Sequence, residues 1–147
     1  MPRTPMAYVD IRFSAHATED PGRVVEAVRN ILPPSFVDCV KFERSSLRGH
    51  YGNPIVLFET RIKGNKIVQA LIENLASRLH EQDKESLFRN IDRHVGEGSL
   101  YLRLDKQAAL HGEVRLCAAD PVRVRVRFRK GKTEDIVRFC REVGMLS

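Results

Sequence analysis

Hydrophobic and polar residues alternate along three stretches of the chain, which is the pattern of a β-strand with one buried face. These stretches are residues 8–15, 100–104 and 122–129. Residues 55–62 are also predicted to form a strand. A run at 36–42 is rich in apolar residues and predicts a further strand. The polar, glycine-bearing segment between these two runs is predicted to be a long loop that ends at Pro54.

Apolar residues at helical spacing predict the helices. Asp20 followed by Pro21 is typical of a helix start, and Pro33-Pro34 would stop that helix. A longer helix is predicted at 66–80, preceded by the capping pair Gly64-Asn65. A shorter helix is predicted from about residue 84 to the glycines at 96–98, which would end it. A helical turn at 106–112, a short strand at 113–117 and a last helix capped by Thr133 complete the prediction.

Strands and helices are thus mixed without strict alternation, and short connections join the later strands. Such connections require antiparallel pairing. The predicted class is α+β, with a single mixed, mostly antiparallel sheet and helices packed on one face. At 147 residues, the chain is predicted to be one domain spanning 1–147. No apolar run is long enough to cross a membrane, and we expect a cytoplasmic protein without a membrane partner.

Composition and motifs argue against several kinds of chemistry. Three cysteines, Cys39, Cys117 and Cys140, are far apart and form no CxxC pair, so we expect buried thiols rather than disulfides or a zinc site. The five histidines show no HxxxH spacing, and no GxSxG or phosphate-binding loop is present. We therefore expect no metal, no cofactor and no catalytic residue.

Positive charge is concentrated in one part of the chain. The whole sequence carries 25 Lys and Arg against 19 Asp and Glu, a net charge of +6. Residues 99–132 contain nine of the basic residues and three of the acidic ones, so the remainder is neutral overall. A localised excess of this kind is typical of a protein that binds a polyanion.

Four arginines occupy one face of the predicted strand at 122–129, while valines and Phe128 occupy the other. Alternate residues of a strand lie about 6.6 Å apart, so the four guanidinium groups would form a row suited to phosphate. The row and its extension consist of Arg123, Arg125, Arg127, Arg129, Lys130 and Lys132. The alternative is a solvated face neutralised by acidic neighbours such as Glu113 or Asp105.

The segment at 45–54 is the second candidate for binding. Arg48, His50 and Tyr51 offer a cation, a titratable donor and an aromatic ring beside two glycines, and Asn53 precedes a proline. Single-stranded RNA is often bound by such a mixture. The alternatives are a hairpin loop made of ordinary turn residues, with Tyr51 packed on the sheet, or an RNA-cleaving site that uses His50 with Arg48 or Lys63.

The strings GHYGNPI at 49–55 and LRLDKQAA at 102–109, with the late basic strand, resemble an archaeal family. Its members are small RNA-binding proteins described as predicted exosome subunits, with a fold compared to double-stranded-RNA-binding domains and to the ribosomal protein that binds 5S rRNA. The resemblance spans about residues 8–129. It implies non-catalytic RNA binding linked to RNA processing or ribosome maturation, and it implies no catalytic residue.

Arg103 and Lys106 join the RNA-binding candidates because they lie in the second string, although Asp105 could simply pair with Arg103 or Arg123. The predicted partner is RNA, single-stranded or structured, together with exosome or ribosome components. A docking protein that binds an acidic surface, or a homodimer formed through a sheet edge, is the second hypothesis. An RNA-modifying or RNA-cleaving enzyme is the third.

Overall fold

The computed structural model describes residues 5–49 and 51–146, and its centre is a six-stranded antiparallel sheet. The strands lie in the order β2-β3-β1-β6-β5-β4, so β1 and β6 occupy the middle. Their bounds are β1 Met6–His16, β2 Glu43–Arg48, β3 Pro54–Ile62, β4 Val95–Gly96, β5 Ser99–Leu104 and β6 Val122–Phe128.

Within the described residues, six α-helices connect and cover the strands, and the predicted α+β class is confirmed. They are α1 Pro21–Asn30, α2 Asn65–Arg78, α3 Glu81–Arg89, α4 Ile91–His94, α5 Lys106–Leu110 and α6 Thr133–Glu142. Among the described residues, no helix combines the length and the apolar character that a membrane crossing requires.

The alternation in β1 and β6 separates a core face of the sheet from an outer face. Val9, Ile11 and Phe13 are at most 2% exposed, and they pack with the valines of β6. Val28 of α1 and Leu71 of α2 cover this side and belong to the same core cluster. The helices therefore lie on one face, and the polar residues of the strands are left on the other.

The first helix begins as its sequence predicts. The Asp20 carboxylate accepts a hydrogen bond from the Gly22 amide at 2.9 Å, and Pro21 occupies the first helical position. At the other end, Arg78 of α2 donates to the carbonyl oxygens of Asn30, the last residue of α1, and of Gly112, two residues beyond α5. One guanidinium thus satisfies helix-terminal carbonyl groups and ties three helices together.

The predictions for residues 36–48 are wrong, whereas the alternative of a hairpin loop before Pro54 is confirmed. Instead of a strand at 36–42, a 3₁₀ turn forms at Val37–Cys39, and the carbonyl of Val37 accepts from Arg29 at 2.9 Å. Instead of a long loop, β2 forms a hairpin with β3. All six residues of β2 are exposed because it is an edge strand, so its sequence shows no alternation between buried and exposed positions.

Smaller differences concern helix starts, one short strand and the cysteines. Gly64 and Lys132, without side-chain caps, precede α2 and α6, so Asn65 and Thr133 lie inside the helices. The segment at 113–117 forms two isolated bridges rather than a strand. Cys140 is buried as expected, and burial raises its thiol pKa to about 12, but Cys39 is exposed and Cys117 is half-buried.

Candidate nucleic-acid interface

Three arginines lie side by side on the outer face of the sheet, and we call them the arginine row. Arg123 of β6 lies directly opposite Arg12 of β1 on one side and Arg103 of β5 on the other. Neighbouring strands are about 4.8 Å apart, so the backbone positions of the row span about 10 Å. Like charges directly opposite one another destabilise a sheet, and this arrangement therefore carries an energetic penalty.

The row has little charge compensation from the described part of the chain, because Glu59 of β3 lies opposite Arg12 but forms no ion pair with it. All three side chains are exposed, and within residues 5–49 and 51–146 none of them forms an ion pair or a side-chain hydrogen bond. A guanidinium offers five donors in a planar fork that matches a phosphate group. An anion with several phosphates would relieve the repulsion and satisfy these donors together.

The other arginines at the end of β6 have protein partners. Arg125 Nε donates to Ser99 Oγ at 3.2 Å, and Arg127 donates to the carbonyl oxygen of Glu97. Arg129, just after the strand, donates to Asn65 Oδ1 at 3.2 Å. The predicted row along β6 is thus divided, because Arg123 faces other arginines while the next three hold neighbouring segments.

A second line of polar residues runs beside the arginine row. Arg61 of β3 donates to both carboxylate oxygens of Asp10 at 2.8 and 3.1 Å, and its guanidinium carbon lies 4.0 Å from the centre of the Tyr8 ring. The hydrogen bond to Asp10 raises the pKa of Arg61. Asp10 is paired with Arg61, so it does not neutralise the arginine row.

Charge changes sign across the outer face. Glu59 of β3 lies opposite Arg12, and Glu43 of β2 lies opposite Glu59. Moving from β2 to β5, a single line across the sheet therefore carries two carboxylates and then three guanidinium groups. A polyanion would be attracted to the half formed by β1, β6 and β5 and repelled from the half formed by β3 and β2.

Tyr101 is the more exposed of two aromatic residues on the attractive half, the other being Tyr8 of β1, whose ring is covered by Arg61. Tyr101 lies on β5 opposite Arg125, 37% exposed, with its ring centre 5.9 Å from the Arg125 guanidinium carbon. Two open grooves, of about 740 and 760 Å³, run along this face, and both are lined by Tyr101, Arg123 and Arg125. A ring and a cationic surface thus meet at the junction of the two grooves.

Lys106 is not part of this surface, contrary to the prediction. Its side chain is 7% exposed, and its Nζ lies 2.7 Å from Asp120 Oδ2 and 3.2 Å from Glu19 Oε1. It also donates to the carbonyl oxygen of Ser14. The ammonium group is fully occupied within the protein and joins the end of β1 to the start of α5.

His16 completes the cluster of side chains around the buried Lys106, which the sequence did not reveal. His16 Nε2 lies 3.0 Å from Asp120 Oδ1. Burial acts to raise the Asp120 pKa, but hydrogen bonds from Lys106 and His16 outweigh it and hold that pKa below its usual value. His16, Glu19 and Asp120 are close enough to bind a cation together, and Lys106 already supplies the positive charge there.

Asp105 has a structural role that removes it from the arginine face. Its carboxylate accepts a hydrogen bond from the Gln107 amide at 2.9 Å and caps α5. It forms no ion pair with Arg103 or Arg123 within the described residues. The predicted neutralisation of the arginines by this residue is therefore wrong.

The loop of the β2–β3 hairpin presents the second predicted group. Arg48 donates to the Gly52 carbonyl at 3.4 Å, and the Tyr51 side chain is 92% exposed, so it does not pack on the sheet. Gly52 has a φ of 80°, a left-handed backbone conformation that favours glycine at this position of the turn. His50 lies outside the described residues.

The hairpin loop and the arginine row do not meet. Pro54, at the loop, pairs with Arg48, whereas the position on β3 that faces Arg12 is Glu59, five residues further on. At about 3.4 Å per residue, the two regions are about 17 Å apart along β3 and also separated across the sheet. Lys130 and Lys132 lie exposed between β6 and α6, at another boundary of the molecule.

Comparison of the sequence with known proteins agrees with a surface that binds a polyanion. A family model described as RNA binding matches residues 8–128, which include the whole arginine row. The chain belongs to this RNA-binding family. It is 34% identical over 139 residues to an RNA-binding protein of Pyrococcus abyssi, and the match covers 91% of this chain and 90% of that protein.

Solved structures share the fold of this RNA-binding family member. The crystal structure of a DUF54 protein from A. fulgidus is 30% identical, with a TM-score of 0.79 over 94% of this chain and 99% of the other. A DUF54 protein from Methanothermobacter thermautotrophicus is 26% identical, with a TM-score of 0.74 over 94% and 97% of the two chains.

The sequence analysis did not identify Arg12 and Tyr101 as candidate RNA-binding residues on the outer face of the sheet. Each lies at an outward position of a correctly predicted strand, so the alternation indicated its orientation. What the sequence lacked was the strand order and register that bring Arg12 next to Arg123. Pairing between β1 and β6 joins residues more than 100 positions apart, and no local pattern specifies it.

Proposed function

We propose that the protein is a non-catalytic RNA-binding protein that contacts RNA through the outer face of β1, β6 and β5. The observation that carries the proposal is the arginine row, which is exposed and lacks protein partners within the described residues. Its family and its relative in Pyrococcus abyssi support RNA as the polyanion. We further propose that residues 1–147 act as one RNA-binding unit.

Phosphate recognition explains why the protein keeps three adjacent arginines despite their repulsion. Each guanidinium can bind a phosphate through two hydrogen bonds, and RNA supplies phosphates in a series. A docking function on an acidic protein surface would use the same charges. The family relationship favours RNA over such a surface.

The surroundings of the candidate catalytic groups favour binding over RNA cleavage. Lys63 follows the Ile62 end of β3, eight residues or about 27 Å from the end of that strand at the hairpin loop, so it does not act together with the loop. Arg48 lies beside the loop and donates to the Gly52 carbonyl oxygen. Its guanidinium stays protonated, so Arg48 does not supply a general base. We therefore assign these groups no catalytic role.

We propose that this RNA binding serves RNA processing or ribosome maturation in the cytoplasm, in association with exosome or ribosome components. The basis is the family resemblance in the strings at 49–55 and 102–109. The check is sequencing of RNA that copurifies with the tagged full-length protein from native cells, together with identification of copurifying proteins. Recovery of neither ribosomal nor processed RNA species would contradict this assignment.

Removal of the arginine row tests the RNA-binding surface. The variant Arg12→Gln/Arg103→Gln/Arg123→Gln should bind RNA more weakly and fold normally, because the three side chains are exposed. For single strands, the slope of log K against log salt should flatten by about 2 if each arginine contacts one phosphate. The matched control is Arg23→Gln on α1, an exposed arginine on the opposite side of the sheet.

An equal loss of affinity in the control, or an unchanged salt slope in the triple variant, would contradict the assignment of the surface. Replacement of Arg123, Arg125, Arg127 and Arg129 together is a less selective test. Three of those side chains donate hydrogen bonds to neighbouring segments, so their loss would also affect stability.

A further inference from the structure

The position of Tyr101 indicates which form of RNA the surface accepts. Tyr101 lies on the outer face and is 37% exposed, so part of its surface remains open to a ligand. It lies directly opposite Arg125, while Arg103 of the arginine row is two residues away on the same strand and face. A planar hydrophobic platform is thus held within about 7 Å of a phosphate-binding group along the strand.

Both grooves of the outer face lead to this ring. The groove over β5 and the segment before β6 and the groove over β1 and β3 share Tyr101, Arg123 and Arg125 in their linings. A chain lying across the sheet would pass the ring whichever groove it entered. Its phosphates could meet the arginine row without leaving that path.

We propose that this surface binds single-stranded RNA, with one base stacked on the ring of Tyr101 and adjacent phosphates bound by the arginine row. The inference rests on the proposed function and specifies its substrate. A duplex stacks its bases on each other and presents phosphates and sugars, so it cannot cover the ring with a base face. An unpaired base can, and base–aromatic stacking tolerates any base.

The distribution of charge limits the path of the strand. Glu59 lies next to Arg12 in the same line across the sheet, and Glu43 follows on β2. Phosphates are attracted over β1, β6 and β5 and repelled beyond them. The part of the RNA that lies on the arginine row therefore ends near β1 and extends toward β5, where Arg93 and His94 line the groove beside Tyr101.

Two substitutions of Tyr101 separate stacking from general charge attraction. Tyr101→Leu retains apolar bulk but removes the ring, and should weaken binding of a labelled, unstructured 12-nucleotide RNA by about 5- to 150-fold. Tyr101→Phe retains the ring, and should bind within about 2-fold of the wild type. Inorganic polyphosphate offers charge without bases, so its affinity should be equal for all three proteins.

Fluorescence gives an independent measurement of the stack. The chain contains no tryptophan and three tyrosines, so its emission comes from tyrosine. A base stacked on Tyr101 should quench part of that emission in the wild type. In Tyr101→Phe, the quenched part should disappear while the affinity is retained.

The outcomes distinguish this inference from the proposed function. Wild-type protein that binds neither the single strand nor an RNA duplex of equal length would contradict RNA binding itself. Wild-type protein that binds RNA but prefers the duplex, or whose single-strand affinity is unchanged by Tyr101→Leu, would contradict the stacking site and leave RNA binding intact. A loss of affinity for polyphosphate in Tyr101→Leu would also contradict stacking, because it would indicate a disturbed arginine surface.

Discussion

Two groups of basic side chains in this protein have opposite surroundings. Lys106 is buried and surrounded by Glu19, Asp120 and a backbone carbonyl group. The arginine row is exposed, its members lie opposite one another, and it forms no ion pair within the described residues, although Glu59 lies opposite Arg12 at its β1 end. The first arrangement satisfies its charge within the fold. The arginine row leaves its charge available to a ligand. Whether a basic side chain is paired within the protein therefore distinguishes structural from binding residues, although both groups are positively charged.

The largest effect is expected where the charge is satisfied. Lys106→Met should lower the free energy of unfolding by about 2–3 kcal/mol, less than the usual 3–5 kcal/mol for a fully buried pair. The reduction follows because Glu19 and Asp120 keep partial access to solvent. Denaturant unfolding measures the change, and the exposed Lys66→Met on α2 is the control. Equal free energies of unfolding for the two variants would contradict a structural role for Lys106.

Charge reversal at the centre of the arginine row should replace repulsion between neighbouring side chains with ion pairs. Arg123→Glu places a carboxylate opposite both Arg12 and Arg103, and should stabilise the sheet by about 0.5–1 kcal/mol. RNA affinity should fall at least 10-fold, or about 1.4 kcal/mol. Opposite signs of the two changes, measured by thermal unfolding and RNA titration, are the expected signature. A destabilised variant would show that the row is not under repulsion.

The hairpin loop defines how far the RNA surface extends beyond the sheet. Tyr51→Ala should leave the melting temperature unchanged, because the ring is 92% exposed. It should weaken binding of an RNA long enough to reach from the row to the loop by about 1 kcal/mol, the lower end of one base–aromatic stack. A short RNA should bind as before. Equal loss for both lengths would contradict separate contacts.

The smallest effect concerns acid stability of the Lys106 cluster. The pKa of Asp120 is lowered by folding, so its carboxylate contributes stability that is present above the unfolded value near 3.8 and lost as pH falls through the lower folded value. Asp120→Asn should therefore reduce stability at pH 7 by under about 1 kcal/mol, since the group is half-exposed. The difference from the wild type should shrink below pH 4. A difference that grows in acid would contradict this assignment.

Local pattern predicted most of the fold because burial follows the same period as secondary structure. The strands β1 and β6 alternate between core and outer face, and the sequence therefore specified their phase. The edge strand β2 could not be predicted, since both its faces are exposed and its residues are not selected for burial. The segment 36–42 is rich in apolar residues without being a strand, because the backbone hydrogen bonds of its turn at Val37–Cys39 close locally.

The candidate site was predicted in part for a related reason. Alternation predicted that Arg123 and Arg103 point outward, but strand order decided that they are neighbours. Lys106 lies at the start of a short helix, where the sequence indicates an exposed lysine. Its acidic partners come from segments 87 and 14 residues away along the chain, so only the tertiary structure shows that it is buried.

The two edge strands of the sheet affect how molecules of this protein associate at high protein concentration. β2 carries Glu43, Arg44 and Arg48 along its free edge, and β4 at the other end is two residues long. Charged and very short edge strands are poor templates for further pairing, which disfavours the homodimer through a sheet edge. We expect crowded copies to stay apart and avoid joining into extended fibres, so that the cationic face remains accessible in each of them.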